Sequence, residues 1–89
     1  MDKKLELIIR RFENNFTWMK YRIHGEKENY TLIRFDDKLL GNYIAWLYVY
    51  DEHMDIEFRK SLTAEIDKEF RNIEIKRLPA FLKNIRHIY

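Results

Sequence analysis

The 89-residue chain has no cysteine, one proline and two glycines. Without thiols there can be no disulfide, no thiolate metal site and no cysteine nucleophile. So little glycine and proline argues against a flexible linker or a low-complexity tail. Gly25 and Gly41 stand isolated, so there is no Gly-rich phosphate loop. No apolar run approaches the length of a membrane-spanning helix. The opening stretch MDKKLELIIRRFENN breaks its apolar residues with charge at every turn, which is not the pattern of a signal peptide. The expectation is a cytoplasmic protein with no membrane contact. No Ser–His pairing is recognisable by spacing, so no enzymatic activity and no cofactor are expected.

An excess of one charge is also lacking: the net charge is +2. That small sum conceals polarity along the chain. Residues 1–25 carry six basic and three acidic groups, and residues 74–89 carry four and one. Residues 26–57 carry three basic and eight acidic groups. The ends are basic and the middle is acidic. The total excess is small for a dedicated duplex-DNA binder.

What the chain has in quantity is apolar and aromatic surface, with 46% hydrophobic and 16% aromatic residues. This is ample for one packed domain, although a chain of this size buries only about 60–65% of its unfolded surface. Ile, Lys, Asn, Tyr, Phe and Met supply 41 residues, and all have AT-rich codons. That bias suggests an AT-rich genome, such as a Firmicute, one of its phages or a mobile element.

Periodicity defines the elements. Leu5, Ile8, Ile9, Phe12 and Phe16 form one helical stripe, with Asp2 as N-cap, Asn14-Asn15 as stop and Leu7 on the flank. Residues 16–24 alternate as a strand, GEKEN turns, and YTLIRF (30–35) returns. DDKLLGN reads either as a loop or as one helical turn. YIAWLYVY (43–50) is apolar throughout, so both its faces should be covered or interactive. DEHMD turns into a strand over 54–59. Leu62, Ile66, Phe70 and Ile73 then repeat at helical spacing, which predicts a second helix with NIEIKR as an alternative short strand. Pro79 opens a final helix whose apolar side carries Phe81, Leu82, Ile85, Ile88 and Tyr89. The expected fold is a single α+β domain of order α-β-β-β-β-α-α, with an antiparallel sheet under helices.

A sheet under helices has an inner and a second face. The expected inner set is Met19, Tyr21, Ile23, Ile33, Phe35, Ala45, Leu47, Val49, Ile56 and Phe58. The second face then carries Trp18, Lys20, Arg22, His24, Tyr30, Leu32, Arg34, Trp46, Tyr48 and Tyr50. One buried aromatic side chain removes about 150–250 Å² from water, so a face this aromatic calls for a cover. Three covers are conceivable. The C-terminal helix would make a third layer. A host or cognate protein, or a second copy of the chain, would make an interface, for which Trp, Tyr and Arg are the enriched types. Bases of single-stranded nucleic acid would stack on the aromatics while Lys20, Arg22 and Arg34 met phosphates. On architectural grounds the C-terminal helix is the first expectation for the cover. As a function, binding of a protein partner is favoured, with an inhibitor from a phage or mobile element as the kind of protein that fits. The interaction surface would comprise Trp18, Lys20, Arg22, Tyr30, Arg34, Trp46, Tyr48 and Tyr50.

Other constellations are weaker. Asp51, His53, Asp55 and Glu57 share one parity and would form a His–carboxylate cluster on a continuous strand, but the same stretch reads as a solvated acidic turn. Glu74-Ile75-Lys76 with Asp55 upstream matches the spacing of metal-dependent nucleases, a common coincidence in a chain with 36% charged residues. His24 and His87 have no partners at metal-ligand spacing. Lys83, Arg86 and His87 beside Tyr89 make a basic aromatic tail.

Overall fold

The computed structural model describes residues 2–39 and 41–89. The chain begins with helix α1 (Lys3–Asn15), runs through five strands and ends in a second helix. The strands are β1 (Met19–Glu26), β2 (Thr31–Asp37), β3 (Tyr43–Val49), β4 (His53–Lys60) and β5 (Ile66–Glu74). They form one antiparallel meander in the order β1-β2-β3-β4-β5. A 3-10 turn (Ile75–Arg77) leads into α2 (Leu78–Ile85). The fold is α+β, a single antiparallel sheet under two helices. No helix among the described residues is long and apolar enough to cross a membrane.

Helix α1 forms as its sequence dictates. The Asp2 carboxylate accepts a hydrogen bond from the Lys4 N–H at 2.7 Å, and Leu5, Ile8, Ile9 and Phe12 are buried. Phe12 and Phe16 meet Phe35 and Phe58 of the sheet, with ring centroids 4.3–6.1 Å apart. Leu78, Leu82 and Ile85 of α2 join the same core. Both helices therefore lie on one side of the sheet. The expected crossing of the second face by the C-terminal helix does not occur.

Three departures from the expected arrangement have one cause, the β-bulge. In β1, Tyr21 pairs with Phe35 but Ile23 pairs with Arg34, so Arg22 is an extra residue and the parity reverses after it. Ile23 consequently turns away from the core and is 63% exposed, while His24 lies opposite core residue Ile33. The expected places of Ile23 and His24 are exchanged. In β5, Ile73 pairs with Met54 and Phe70 with Ile56, three residues against two. Asn72 sits in this bulge with φ of 56°. Phe70 and Ile73 thus share the inner face at a spacing of three, which counterfeits a helical period. A second bulge near Asp67 turns Ile66 to the other face, opposite Arg59. The expected helix over Leu62–Ile73 is a turn and a strand, and Leu62 is 97% exposed in that turn.

Smaller corrections concern the ends of elements. DDKLLGN continues β2 through Asp37 before it loops; Leu40 lies outside the described residues. DEHMD is only partly a turn, because β4 begins at His53. Helix α2 stops at Ile85, and Tyr89 folds back against Phe58, Tyr43 and Trp18.

Candidate interaction surface

Strand pairing fixes what the helix-free face presents. Ile23, Arg34, Trp46 and Glu57 lie side by side across β1 to β4, and Leu32, Tyr48 and Asp55 form the next row. Seven of the eight expected residues belong here: Lys20, Arg22, Tyr30, Arg34, Trp46, Tyr48 and Tyr50. Trp18 does not. It packs edge-on against Phe16, Tyr43 and Tyr89 at 5.5–6.4 Å, on the helical side. The turn before β1 sends Trp18 to the core, a placement that simple extension of the strand's alternation misses.

The face is a lattice of paired charges and aromatic rings. Asp36 receives Arg34 at 2.8 Å and Arg22 at 3.2 Å. The Arg34 guanidinium also lies over the Trp46 ring, 5.4 Å from its centroid. At the end of the sheet where β2 begins and β3 finishes, Tyr30 touches Tyr48 and Tyr50, each with centroids 5.6 Å apart, and Tyr50 stacks on His53 at 4.6 Å.

Glu57 is the hub. It is only 4% exposed, and Asp55 beside it only 8%. Glu57 Oε1 accepts hydrogen bonds from the Tyr48 hydroxyl at 2.7 Å and from Arg59 at 2.9 Å. Its Oε2 pairs with Arg71 at 2.9 Å. Arg71 also holds Glu69 at 2.8 Å and reaches Asp55 at 3.4 Å. The other Asp55 oxygen accepts the Asn72 N–H at 2.8 Å, so a carboxylate satisfies the donor freed by the β5 bulge. Burial pushes the Glu57 carboxyl up, but hydrogen bonds from Tyr48 and Arg59 and the charges of Arg59 and Arg71 hold it below its ordinary value. Burial first, then the bond to Glu57, pushes the Tyr48 hydroxyl up to about 12. Each buried carboxylate thus has cationic partners, which is what makes its burial tolerable.

This network corrects the reading of residues 51–57 as a solvated acidic turn. His53 joins β4 with Asp55 and Glu57, and the two carboxylates are buried beside neighbouring Arg59 and beside Arg71, which lies 14 to 16 residues away. Among the described residues, no group of three His, Asp or Glu side chains is arranged to hold a metal ion. Both Asp55 oxygens already accept hydrogen bonds, and Glu74 forms exposed ion pairs with Lys76 and Arg77 at 3.5 and 3.7 Å. His24 Nδ1 meets the Tyr21 hydroxyl at 2.5 Å. His87 accepts a contact from Arg86 at the end of α2. Arg59 and Arg71 are the members that sequence reasoning missed. The only available signal was the alternation Glu57-Phe58-Arg59, which puts Glu57 and Arg59 on one face. No protein-family model, curated protein or solved structure matches the chain.

Proposed function

We propose that the chain is a non-enzymatic, cytoplasmic binding protein that docks its helix-free sheet face on another protein. The observation that carries this reading is a wide face centred on Trp46 that no secondary-structure element among the described residues covers. Trp, Tyr and Arg, the types that dominate interface energetics, are concentrated there. Their rotamers are held by mutual contacts, so little side-chain entropy remains to be lost on docking. The phage or mobile-element origin and an inhibitory role belong to the same proposal and rest on composition.

Single-stranded nucleic acid is the alternative occupant. Against it, Arg22 and Arg34 are bound to Asp36, while Arg59 and Arg71 are bound to Glu57. Arg34 also occupies one side of the Trp46 ring that a base would use. Balanced, paired charge suits a protein surface better than a phosphate chain. The test is capture with Trp46→Ala beside the natural chain, together with sedimentation of the chain alone. A stoichiometric complex, hetero- or homo-oligomeric, that is lost with Trp46→Ala supports the reading. A complex indifferent to Trp46→Ala, or oligonucleotide binding that requires Trp46, opposes it.

A further inference from the structure

The two basic ends of the sequence come together in three dimensions, because α1 and α2 pack beside each other. On the solvent side of that helical layer, two adjoining concavities meet at Arg11. One is lined by Arg11, Asn14, Asn15, Pro79, Ala80 and Lys83, and the other includes Lys4, Leu7, Arg11 and Lys76. Neither has an acidic side chain in its lining. The α1 carboxylates Glu6 and Glu13 face the opposite flank, beside Tyr21. Among the described residues, Arg11 and Lys83 form no ion pair, in contrast to every arginine of the sheet lattice. Lys76 is partnered by Glu74, and Lys4 donates to the carbonyls of Tyr50 and Asp51.

We infer that this groove binds the phosphodiester backbone of duplex nucleic acid, without reading its sequence. The lining side chains carry one charge sign, with Glu74 at the rim paired to Lys76. Arg11 and Lys83 have no ion-pair partner among the described residues, so these two are available for phosphate. The neighbouring Asn14 amide is a further donor of the kind that contacts backbone oxygens, whereas the Asn15 amide already donates to the Arg11 carbonyl at 2.9 Å. Lys4 and Arg11 lie on one side of α1, about 10 Å apart along its axis. A duplex strand presents a phosphate about every 3.4 Å of axis, so the groove spans about three of them. No aromatic side chain lines either concavity. That removes the stacking platform a single strand needs and the aromatic anchors a protein partner favours. The small net charge of the chain is no obstacle, because folding places two unpaired cations here and pairs the arginines of the sheet face with carboxylates.

Fluorescence anisotropy with a labelled duplex of about 20 base pairs, titrated from about 20 to 200 mM salt, tests this. The natural chain should bind at low salt, with log Kd rising by about 2 to 3 per decade of salt. Arg11→Gln with Lys83→Gln should weaken low-salt binding by about tenfold or more and lower that slope by about 2. Both positions are at the surface, and an unchanged melting temperature shows that the fold is retained. Arg11→Glu with Lys83→Glu should abolish binding, while Trp46→Ala should leave it unchanged. The inference is overturned if the duplex does not bind at the lowest salt, or if the Gln pair binds it as the natural chain does. It is equally overturned if Trp46→Ala removes binding, or if polyglutamate at matched charge binds more tightly than the duplex, which would make the groove a site for acidic protein. None of these outcomes depends on whether the sheet face docks a protein.

Discussion

Glu57 would be a costly residue in the middle of a sheet if its environment did not neutralise it. Tyr48, Arg59 and Arg71 do so, and their bonds make two opposite pH dependences. The Glu57 carboxyl is held below its ordinary value of 4.5. Its contribution to stability is therefore present above that pH and declines as pH falls through the folded-state value. Tyr48 is raised from 10.0 to about 12, so its contribution is complete below about pH 10 and is lost as pH rises through about 12. Thermal melts across pH should show both shoulders, and Tyr48→Phe should remove its share of the alkaline one. Tyr89, raised by burial and its bond to Asp67, supplies a share that remains. At neutral pH, Tyr48→Phe should cost about 1.5–3 kcal/mol, the worth of a hydrogen bond to a charged acceptor. Little of this hub was legible in the sequence. The acidic run 51–57 reads as solvated because the neutralising Arg71 is brought to Glu57 only by the β4–β5 pairing, across 14 residues. Tyr48, Trp46 and Arg34 were legible as face residues because the alternation in β2 and β3 is unbroken.

Elements that obey a single period were readable, and those with bulges were not. Helix α1, its Asp2 cap, β2 and β3 follow from spacing and turn residues alone, and β1 follows as a strand although its bulge hid the faces of Ile23 and His24. β5 defeats the same reasoning because the bulge at Asn72 sets Phe70 and Ile73 three apart on one face and the bulge at Asp67 turns Ile66 to the other. Inserted residues cannot be recognised without the partner strand that skips them. The bulges also serve the sheet. β5 is an edge strand, and irregularity there discourages pairing with another chain. The opposite edge is closed differently, with the Tyr21 N–H of β1 donating to the Glu13 carboxylate at 3.2 Å. Docking through the face rather than by strand addition fits both edges. One local cost remains in the turn after β4, where Ala64 holds φ of 56°. A Cβ is disfavoured there, so Ala64→Gly should raise stability by about 0.5–1 kcal/mol in a denaturant melt.

The molecule as a whole divides its chemistry between two sides of one sheet. The helical side holds the apolar core, and Phe12→Ala should cost about 3–5 kcal/mol because Phe12 contacts Phe16, Phe35 and Phe58 with no exposure. On the other side, among the described residues, Arg34 lies over Trp46, and Arg59 and Arg71 pair with Glu57. Truncating Trp46 should therefore lower the melting temperature far less than Phe12→Ala does. Trp18 belongs to the first side, so Trp18→Ala should behave as a core variant. The measurement that bears most directly on the proposed docking face is the affinity of the captured complex with Trp46→Ala, read beside that variant's melting temperature. The account predicts at least about a 30-fold loss of affinity, the scale of an interface hot spot, with the fold retained. Unchanged affinity, or a collapse of the fold comparable to Phe12→Ala, would contradict it.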